Sequence, residues 1–308
     1  MNFRILRLAS LVVLSALIPV GAKAQKEPSP ALLVSTKWLS QHINDKNIVL
    51  LHVGDKKEYD ASHIPGARYV AQNDISVSDH DKPGGLMLQM PTSEYLHDKL
   101  AALGISDNSR IIVYYGNDWI TPATRVVFTL NYAGLGNNTS LLDGGTNAWK
   151  KDGYVLTADA TPAKAGTLSP LSIKPLVVDA EFVKANIGEP GISVVDGRAA
   201  AFYDGVQTGG GMGRQHRTGH IAGAKSVPYT EIADDNMKFK TVPELEALFA
   251  KAGVKPGDTV VGYCPIGQQA TGMLFAARLT GHKVLLYDGS FEDWSAHTSY
   301  PVETKANH

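Results

Sequence analysis

The chain is almost without cysteine: one thiol, Cys264, stands among 308 residues. A single cysteine cannot close an internal disulfide, so stability has to come from buried cores. No Cys cluster exists to bind a metal, and the ten histidines show no metal-ligand spacing. No metal or other cofactor is therefore expected. An excess of positive charge is also missing, since 29 Lys and Arg face 30 Asp and Glu. Phosphate binding needs a basic surface, so this balance argues against nucleic acid as a partner. Beyond the first two dozen residues no apolar run is long enough to suggest a membrane span.

Those first residues read as an export signal. Arg4 and Arg7 precede an apolar stretch from Leu8 to Val20, and Ala22-Lys23-Ala24 forms a small-residue cleavage pattern. Cleavage after Ala24 would remove three cations (Arg4, Arg7 and Lys23) and leave 26 basic against 30 acidic residues, a balance of −4. The expectation is a periplasmic or secreted protein with no membrane attachment once the signal, residues 1–24, is removed. An uncleaved anchor is the alternative, but the apolar run is short of the ~20 residues a span needs.

The remainder carries a duplication. Ala61-Ser62-His63-Ile64-Pro65-Gly66-Ala67 is matched by Thr218-Gly219-His220-Ile221-Ala222-Gly223-Ala224. Leu141-Leu142-Asp143-Gly144-Gly145 through Trp149 is matched by Leu286-Tyr287-Asp288-Gly289-Ser290 through Trp294. His63 to Asp143 spans 80 positions and His220 to Asp288 spans 68, so the first half holds 12 extra residues, mostly between Asn73 and Pro91. Two domains are expected, at 31–157 and 176–304, joined by a linker over 158–175 rich in Ala, Thr, Lys and Pro. Short β-branched runs such as Ile111-Ile112-Val113 and Val260-Val261 alternate with helical patterns. One of these helices is Val242 to Ala252, where Leu245, Leu248 and Phe249 share a face and Gly253 is a stop. This alternation predicts an α/β fold: in each domain a mostly parallel sheet with helices on both faces.

In such sheets ligands bind at the C-terminal ends of strands. Cys264 stands at such an end, after Thr259-Val260-Val261-Gly262-Tyr263 and before a helix starting near Ala270. Turn amides and a helix N-terminus there should favour thiolate over thiol. Pro265 has no N–H, so the cradle must come from Ile266, Gly267, Gln268, Gln269 and Ala270. Gly267 is expected to allow the tight turn. A Cys-based phosphatase needs Arg six residues after its Cys to grip phosphate; Ala270 stands there, and the next arginine is Arg278. Phosphate chemistry is excluded on that ground.

The two His-Ile-x-Gly-Ala segments, the paired Asp-Gly…Trp segments and the loop Cys264-Pro265-Ile266-Gly267-Gln268-Gln269-Ala270 together resemble the rhodanese family, specifically its two-domain sulfurtransferases. The resemblance covers essentially the whole chain after the signal. It implies two tandem rhodanese-like domains, the first non-catalytic and the second catalytic. In the first, Tyr115 or Gly116 takes the place of Cys264. It also implies a sulfurtransferase, in which Cys264 takes a sulfane sulfur from a small anionic donor such as thiosulfate and passes it to a thiol or cyanide acceptor.

Arg198 matches the family arginine that contacts the donor; a structural ion pair with Asp196 is the alternative. Pro265 and Ile266 fit neither the basic loops of thiosulfate-type members nor the Gly/Ser loops of mercaptopyruvate-type members. Phe202-Tyr203-Asp204 occupies the neighbourhood of a second arginine that mercaptopyruvate binding would use, which argues against that donor. Arg214 and Arg217, in the Gly-rich loop 209–217, are candidates to add positive potential at the cleft; a solvated loop explains them equally well. The recurrence of His63 and His220 in both halves favours a structural role for each. Two other functions remain open: a non-enzymatic sulfane-sulfur carrier, and a redox-sensing or partner-binding module.

Overall fold

A computed structural model describes residues 31–305 except 83, 118–119, 163 and 212–213. The expected export signal, residues 1–24, lies outside the described residues. Within them, no helix is long and apolar enough to cross a membrane.

The first half runs β1 (Leu33–Val34), α1 (Thr36–His42), β2 (Ile48–Val53), α2 (Lys56–Ala61), β3 (Ala67–Tyr69), α3 (Ser93–Ala102), β4 (Arg110–Tyr115), α4 (Thr121–Tyr132), β5 (Thr139–Leu142) and α5 (Gly145–Lys151). Its strands form one sheet in the order β1-β5-β4-β2-β3, with every pair parallel. The second half runs β6 (Val177–Val178), α6 (Ala180–Asn186), β7 (Ile192–Asp196), α7 (Ala200–Tyr203), β8 (Gly210–Gly211), β9 (Arg214–Gln215), β10 (His220–Ile221), β11 (Lys225–Ser226), α8 (Val242–Lys251), β12 (Thr259–Tyr263), α9 (Gln269–Leu279), β13 (Lys283–Tyr287), α10 (Ser290–Ala296) and β14 (Val302–Glu303). Its sheet, β6-β13-β12-β7-β11, repeats the first strand for strand and is parallel throughout. Two short antiparallel pairs, β8–β9 and β10–β14, complete it. The α/β architecture read from the sequence is the one observed.

Both faces of each sheet are covered because both faces are apolar. In β2, Val49, Leu51 and Val53 enter one core, while Leu50 enters another with Tyr59 and Trp149. The shared core runs on through α4 and α9, which pack together, to Val260 and Leu286 of the second sheet and to Cys264 just beyond it. One apolar interior thus joins the two domains. Local signals act as read: α8 starts with a capping box between Thr241 and Glu244, buries Leu245 and Phe249, and stops at Gly253, whose φ is +81°.

The stretch inserted in the first half forms a strap over the second domain. It is pinched by a bridge between Val77 and Gln89, where the second half has a shorter one between Ala233 and Phe239. Met87 N–H donates to Glu292 Oε2 at 3.0 Å, and Met90 N–H to Asp288 Oδ2 at 2.7 Å. The reverse contact exists too, with Phe239 N–H donating to Asp143 Oδ1 at 3.1 Å. The segment read as a linker lies along the first domain: Gly166 N–H reaches the Ala101 carbonyl at 2.8 Å and Lys174 N–H that of Tyr132 at 2.8 Å.

Candidate active site

Cys264 follows β12 at the C-terminal edge of the second sheet and is fully buried. Its loop is short, and α9 begins at Gln269 with Gln268 as N-cap. The N–H groups of Ala270, Ile266 and Gly267 donate to the sulfur. The loop is fixed on its other side as well. Phe291 N–H donates to the Cys264 carbonyl at 2.9 Å and Glu292 N–H to the Pro265 carbonyl at 3.0 Å. Cys264 N–H donates to Ser290 Oγ at 3.3 Å.

Gly267 has φ +80°, and a Cβ there would lie 3.0 Å from the Asp288 carbonyl oxygen and 3.1 Å from Arg125 Nη1. Both the backbone conformation and the close approach call for glycine. Gln268 turns its side-chain amide to Gln72 Oε1 of the first domain at 3.0 Å.

The loop amides act as expected, each lowering the Cys264 pKa, but burial outweighs the three of them and pushes the thiol above its ordinary value. The reason is that a sulfur with no contact to water loses more by desolvation than three amide dipoles return, and nearby Asp196 opposes ionisation further.

The first domain shows the same scaffold without the thiol. Ile64 N–H donates to the Tyr114 hydroxyl and Ile221 N–H to the Tyr263 hydroxyl, each at 3.1 Å, so the two tyrosines correspond. The next residue is therefore Tyr115 in one domain and Cys264 in the other. Tyr115 is sealed in: its hydroxyl donates to the Met237 carbonyl at 2.6 Å and accepts from Gly144 N–H at 2.9 Å. Asn117 N–H, in the loop that follows, is taken by Glu58 Oε1 at 2.8 Å.

The sequence profile of the rhodanese-like domain matches residues 35–152 and again residues 179–297. The chain belongs to the rhodanese family. It is 31% identical over 288 residues to the 3-mercaptopyruvate sulfurtransferase of Escherichia coli (strain K12), covering 89% of this chain and 99% of that one. It is 29% identical over 276 residues to the thiosulfate sulfurtransferase of Gallus gallus, covering 85% and 92%. Among solved structures, the anaerobic ergothioneine biosynthesis enzyme from Chlorobium limicola shares the fold with a TM-score of 0.78 at 22% identity, covering 89% of this chain and 70% of that one. YnjE superposes with a TM-score of 0.77 at 25% identity, covering 91% and 70%.

In this rhodanese the predicted arginines are all engaged. Arg198 is 2% exposed; its Nε donates to both Asp196 carboxylate oxygens at 3.0 Å, and its Nη2 to Asp196 Oδ2 at 2.6 Å and the Gly219 carbonyl at 2.7 Å. Its guanidinium also lies 4.0 Å from the Phe291 ring centroid. The structural ion pair is thus present, with the guanidinium close enough to Cys264 to feel its charge. Arg214 donates to the carbonyls of Gly85, His80 and Lys82 in the strap and lies 3.8 Å from Glu292. Arg217 donates to the carbonyls of Tyr300, at 2.6 Å, and His297. Arg214 thus ties the hairpin β8–β9 to the first domain, and Arg217 ties its exit to the segment after α10.

His63 and His220 each stack on a tyrosine, Tyr59 and Tyr203, and bond through Nδ1 to that residue's carbonyl at 2.7 and 2.8 Å. Sequence reasoning missed Arg125, which reaches the Cys264 loop from α4, and Ser290, which holds Cys264 from behind. Among the described residues no group of His, Cys, Asp and Glu is placed to hold a metal ion.

Proposed function

We propose that this rhodanese is an exported sulfurtransferase of the thiosulfate type, working through a persulfide on Cys264. The observation that carries the reading is the set of three N–H donors, from Ile266, Gly267 and Ala270, converging on the chain's one thiol at the end of a parallel strand. Such a cradle suits a sulfur that is anionic before and after the reaction.

The Cys264 thiolate attacks the outer sulfur of thiosulfate. The S–S bond breaks, its electron pair leaves with sulfite, and Cys264 keeps the transferred sulfur as an anionic persulfide. A cyanide carbon or an acceptor thiolate then attacks that outer sulfur. The new S–S bond breaks with its electrons returning to Sγ, and the thiolate is restored. Sulfite is a good leaving anion, so no general acid is required.

The choice of thiosulfate over mercaptopyruvate is supported by Phe202, Tyr203 and Asp204, where a second arginine would be needed. Export is supported by the charged, apolar and small-residue order of residues 1–24. The full burial of Cys264 favours one other reading, a carrier that loads sulfur but turns over slowly without a dedicated acceptor. Intact mass after thiosulfate treatment, compared with the steady-state rate with cyanide, tests both. A gain of one sulfur with fast turnover is expected; loading without turnover supports the carrier, and oxygen additions alone overturn sulfur transfer.

A further inference from the structure

Arg125 belongs to the domain without the thiol, yet its guanidinium holds the loop that carries it. The side chain is 1% exposed. Its Nη1 donates to the Gly267 carbonyl at 3.1 Å and to Asp288 Oδ1 at 2.8 Å, and its Nη2 donates to the Leu88 carbonyl in the strap. One planar group therefore joins the catalytic loop, the corner before α10 and the strap. Only a fork with several fixed donors can do this.

The contact is one-way. The turns that end α4 and α9 correspond: Gly134 has φ +89° and Gly281 φ +85°, and Gly134 N–H and Gly281 N–H bond the carbonyls three residues back. Ten positions before these glycines stand Thr124 and Thr271, whose hydroxyls meet at 3.1 Å across the domain boundary. Nine positions before them stand Arg125 and Gly272. The second domain thus offers no side chain where the first offers a guanidinium. Gly272 instead lies against Thr121, Ile232 and Thr124.

Stability alone is a weak reason for this arrangement. A buried ion pair gives little net stabilisation over apolar packing, and Arg125 Nε is a buried donor with no partner among the described residues. What the guanidinium does fix is Gly267. The N–H of that residue points at the sulfur and its carbonyl is held by Arg125. Gly267 sits at φ +80°, between two peptide planes that its lack of a side chain leaves free to rotate.

We propose that Arg125 is a positioning residue for the reaction: the first domain clamps the Gly267–Gln268 peptide, and so fixes ψ of Gly267, so that the loop N–H groups on either side of it stay aimed at Cys264. This rests on the sulfurtransferase reading for its chemistry, but its test does not depend on that reading alone.

The test uses the full chain with Arg125→Met and Arg125→Lys. Because Cys264 is the only thiol, alkylation by iodoacetamide as a function of pH reports its ionisation without ambiguity. Single-turnover loading with thiosulfate, followed by intact mass, reports the chemistry. Arg125→Met should move the alkylation midpoint to higher pH and slow loading by about tenfold or more, the scale expected when a transition-state donor loses its aim. The thiosulfate concentration for half-maximal loading should stay within about twofold, since uniform binding is untouched. Arg125→Lys, which keeps the charge but not the fork, should fall between Met and wild type. A folded Arg125→Met protein with wild-type midpoint and loading rate overturns the proposal. If that variant does not fold, Arg125→Lys decides by the same two readings. If wild type loads no sulfur from any donor, the sulfurtransferase reading fails while the alkylation midpoints still judge the clamp.

Discussion

Ser290 holds Cys264 from behind, and does so in a backbone conformation that serine rarely adopts. Its φ is +53°, in the left-handed region, and its Oγ accepts from Cys264 N–H at 3.3 Å while donating to the Tyr287 carbonyl at 2.9 Å. The matching residue of the first domain is Gly145, with φ +52° and no cysteine to hold. There a side chain would strike Tyr115. Strain is thus kept where the hydroxyl has the Cys264 backbone to fix and avoided where it has none. Ser290→Gly should relieve strain of about 2 kcal/mol and lose two hydrogen bonds of about 1 kcal/mol each, effects that nearly cancel in stability. Turnover should nevertheless fall several-fold. Thermal unfolding alongside steady-state cyanide assays measures both; equal losses of stability and rate would contradict it.

Cys264→Ser should abolish thiosulfate:cyanide transfer while leaving the melting temperature within a few degrees of wild type. The serine is nearly isosteric and the cradle N–H groups can bond to its oxygen. Full activity in this variant would remove Cys264 from the chemistry altogether.

The buried pair Asp196–Arg198 gives a sharper result in combination than singly. Asp196 is 0% and Arg198 2% exposed, and Nη2 to Oδ2 is 2.6 Å. Asp196→Asn should destabilise by roughly 3–5 kcal/mol, because it leaves a buried guanidinium without its counter-ion. Asp196→Leu together with Arg198→Met should cost less than Asp196→Leu alone. Urea unfolding of the three variants decides. If a folded Arg198→Lys protein also raises the KM for thiosulfate without changing kcat, the arginine binds donor as well as Asp196.

Much of this was legible in the residues. The duplication, the parallel sheets and the thiol on a strand-to-helix turn follow from periodicity and from one cysteine in a short amide-rich loop. Arg125 was not, because it sits in an ordinary helical run, Thr124-Arg125-Val126-Val127-Phe128, and meets Gly267 only when α4 packs on α9, 142 positions away. The direction in which the Cys264 pKa moves was hidden for a related reason. The loop dipoles can be counted in the sequence, but the loss of water around the sulfur depends on how the two domains close over it. The roles of Arg214 and Arg217 likewise depend on the strap and the end of the chain, which bring carbonyls to them that no local pattern announces.

The raised thiol makes a pH prediction of definite sign. With the folded-state pKa above the unfolded one, the contribution to stability is fully present below the unfolded thiol pKa and is lost as pH rises through the folded value. Loading rates should run the other way, climbing with thiolate and still rising beyond about pH 8.5, the ordinary thiol value. Cys264→Ser should reduce the alkaline loss of stability, the remainder coming from buried tyrosines such as Tyr115 and Tyr263 that burial also raises. A loading profile already flat at neutral pH would show that the thiol ionises easily and that burial does not dominate.

Acid should weaken the first domain through His52. The imidazole is 0% exposed, both ring nitrogens lack partners among the described residues, and the ring is packed among Tyr59, Tyr69 and Tyr114. Burial, helped by His63, lowers its pKa to about 4 from 6.5. Between those two values the unfolded chain binds a proton that the folded chain refuses, so stability is lost as pH falls from 6.5 towards 4. The full effect is on the order of 3 kcal/mol, since each tenfold loss of proton affinity is worth about 1.4 kcal/mol. His52→Phe keeps an aromatic ring of similar volume and removes the titration. Its urea midpoint should therefore vary less than that of wild type across this window. His216, also buried and lowered to about 4 by burial and by Arg198, titrates over the same range in the second domain, so the slope should shrink rather than vanish. An unchanged slope in His52→Phe would mean that the imidazole finds a partner or water when it is protonated.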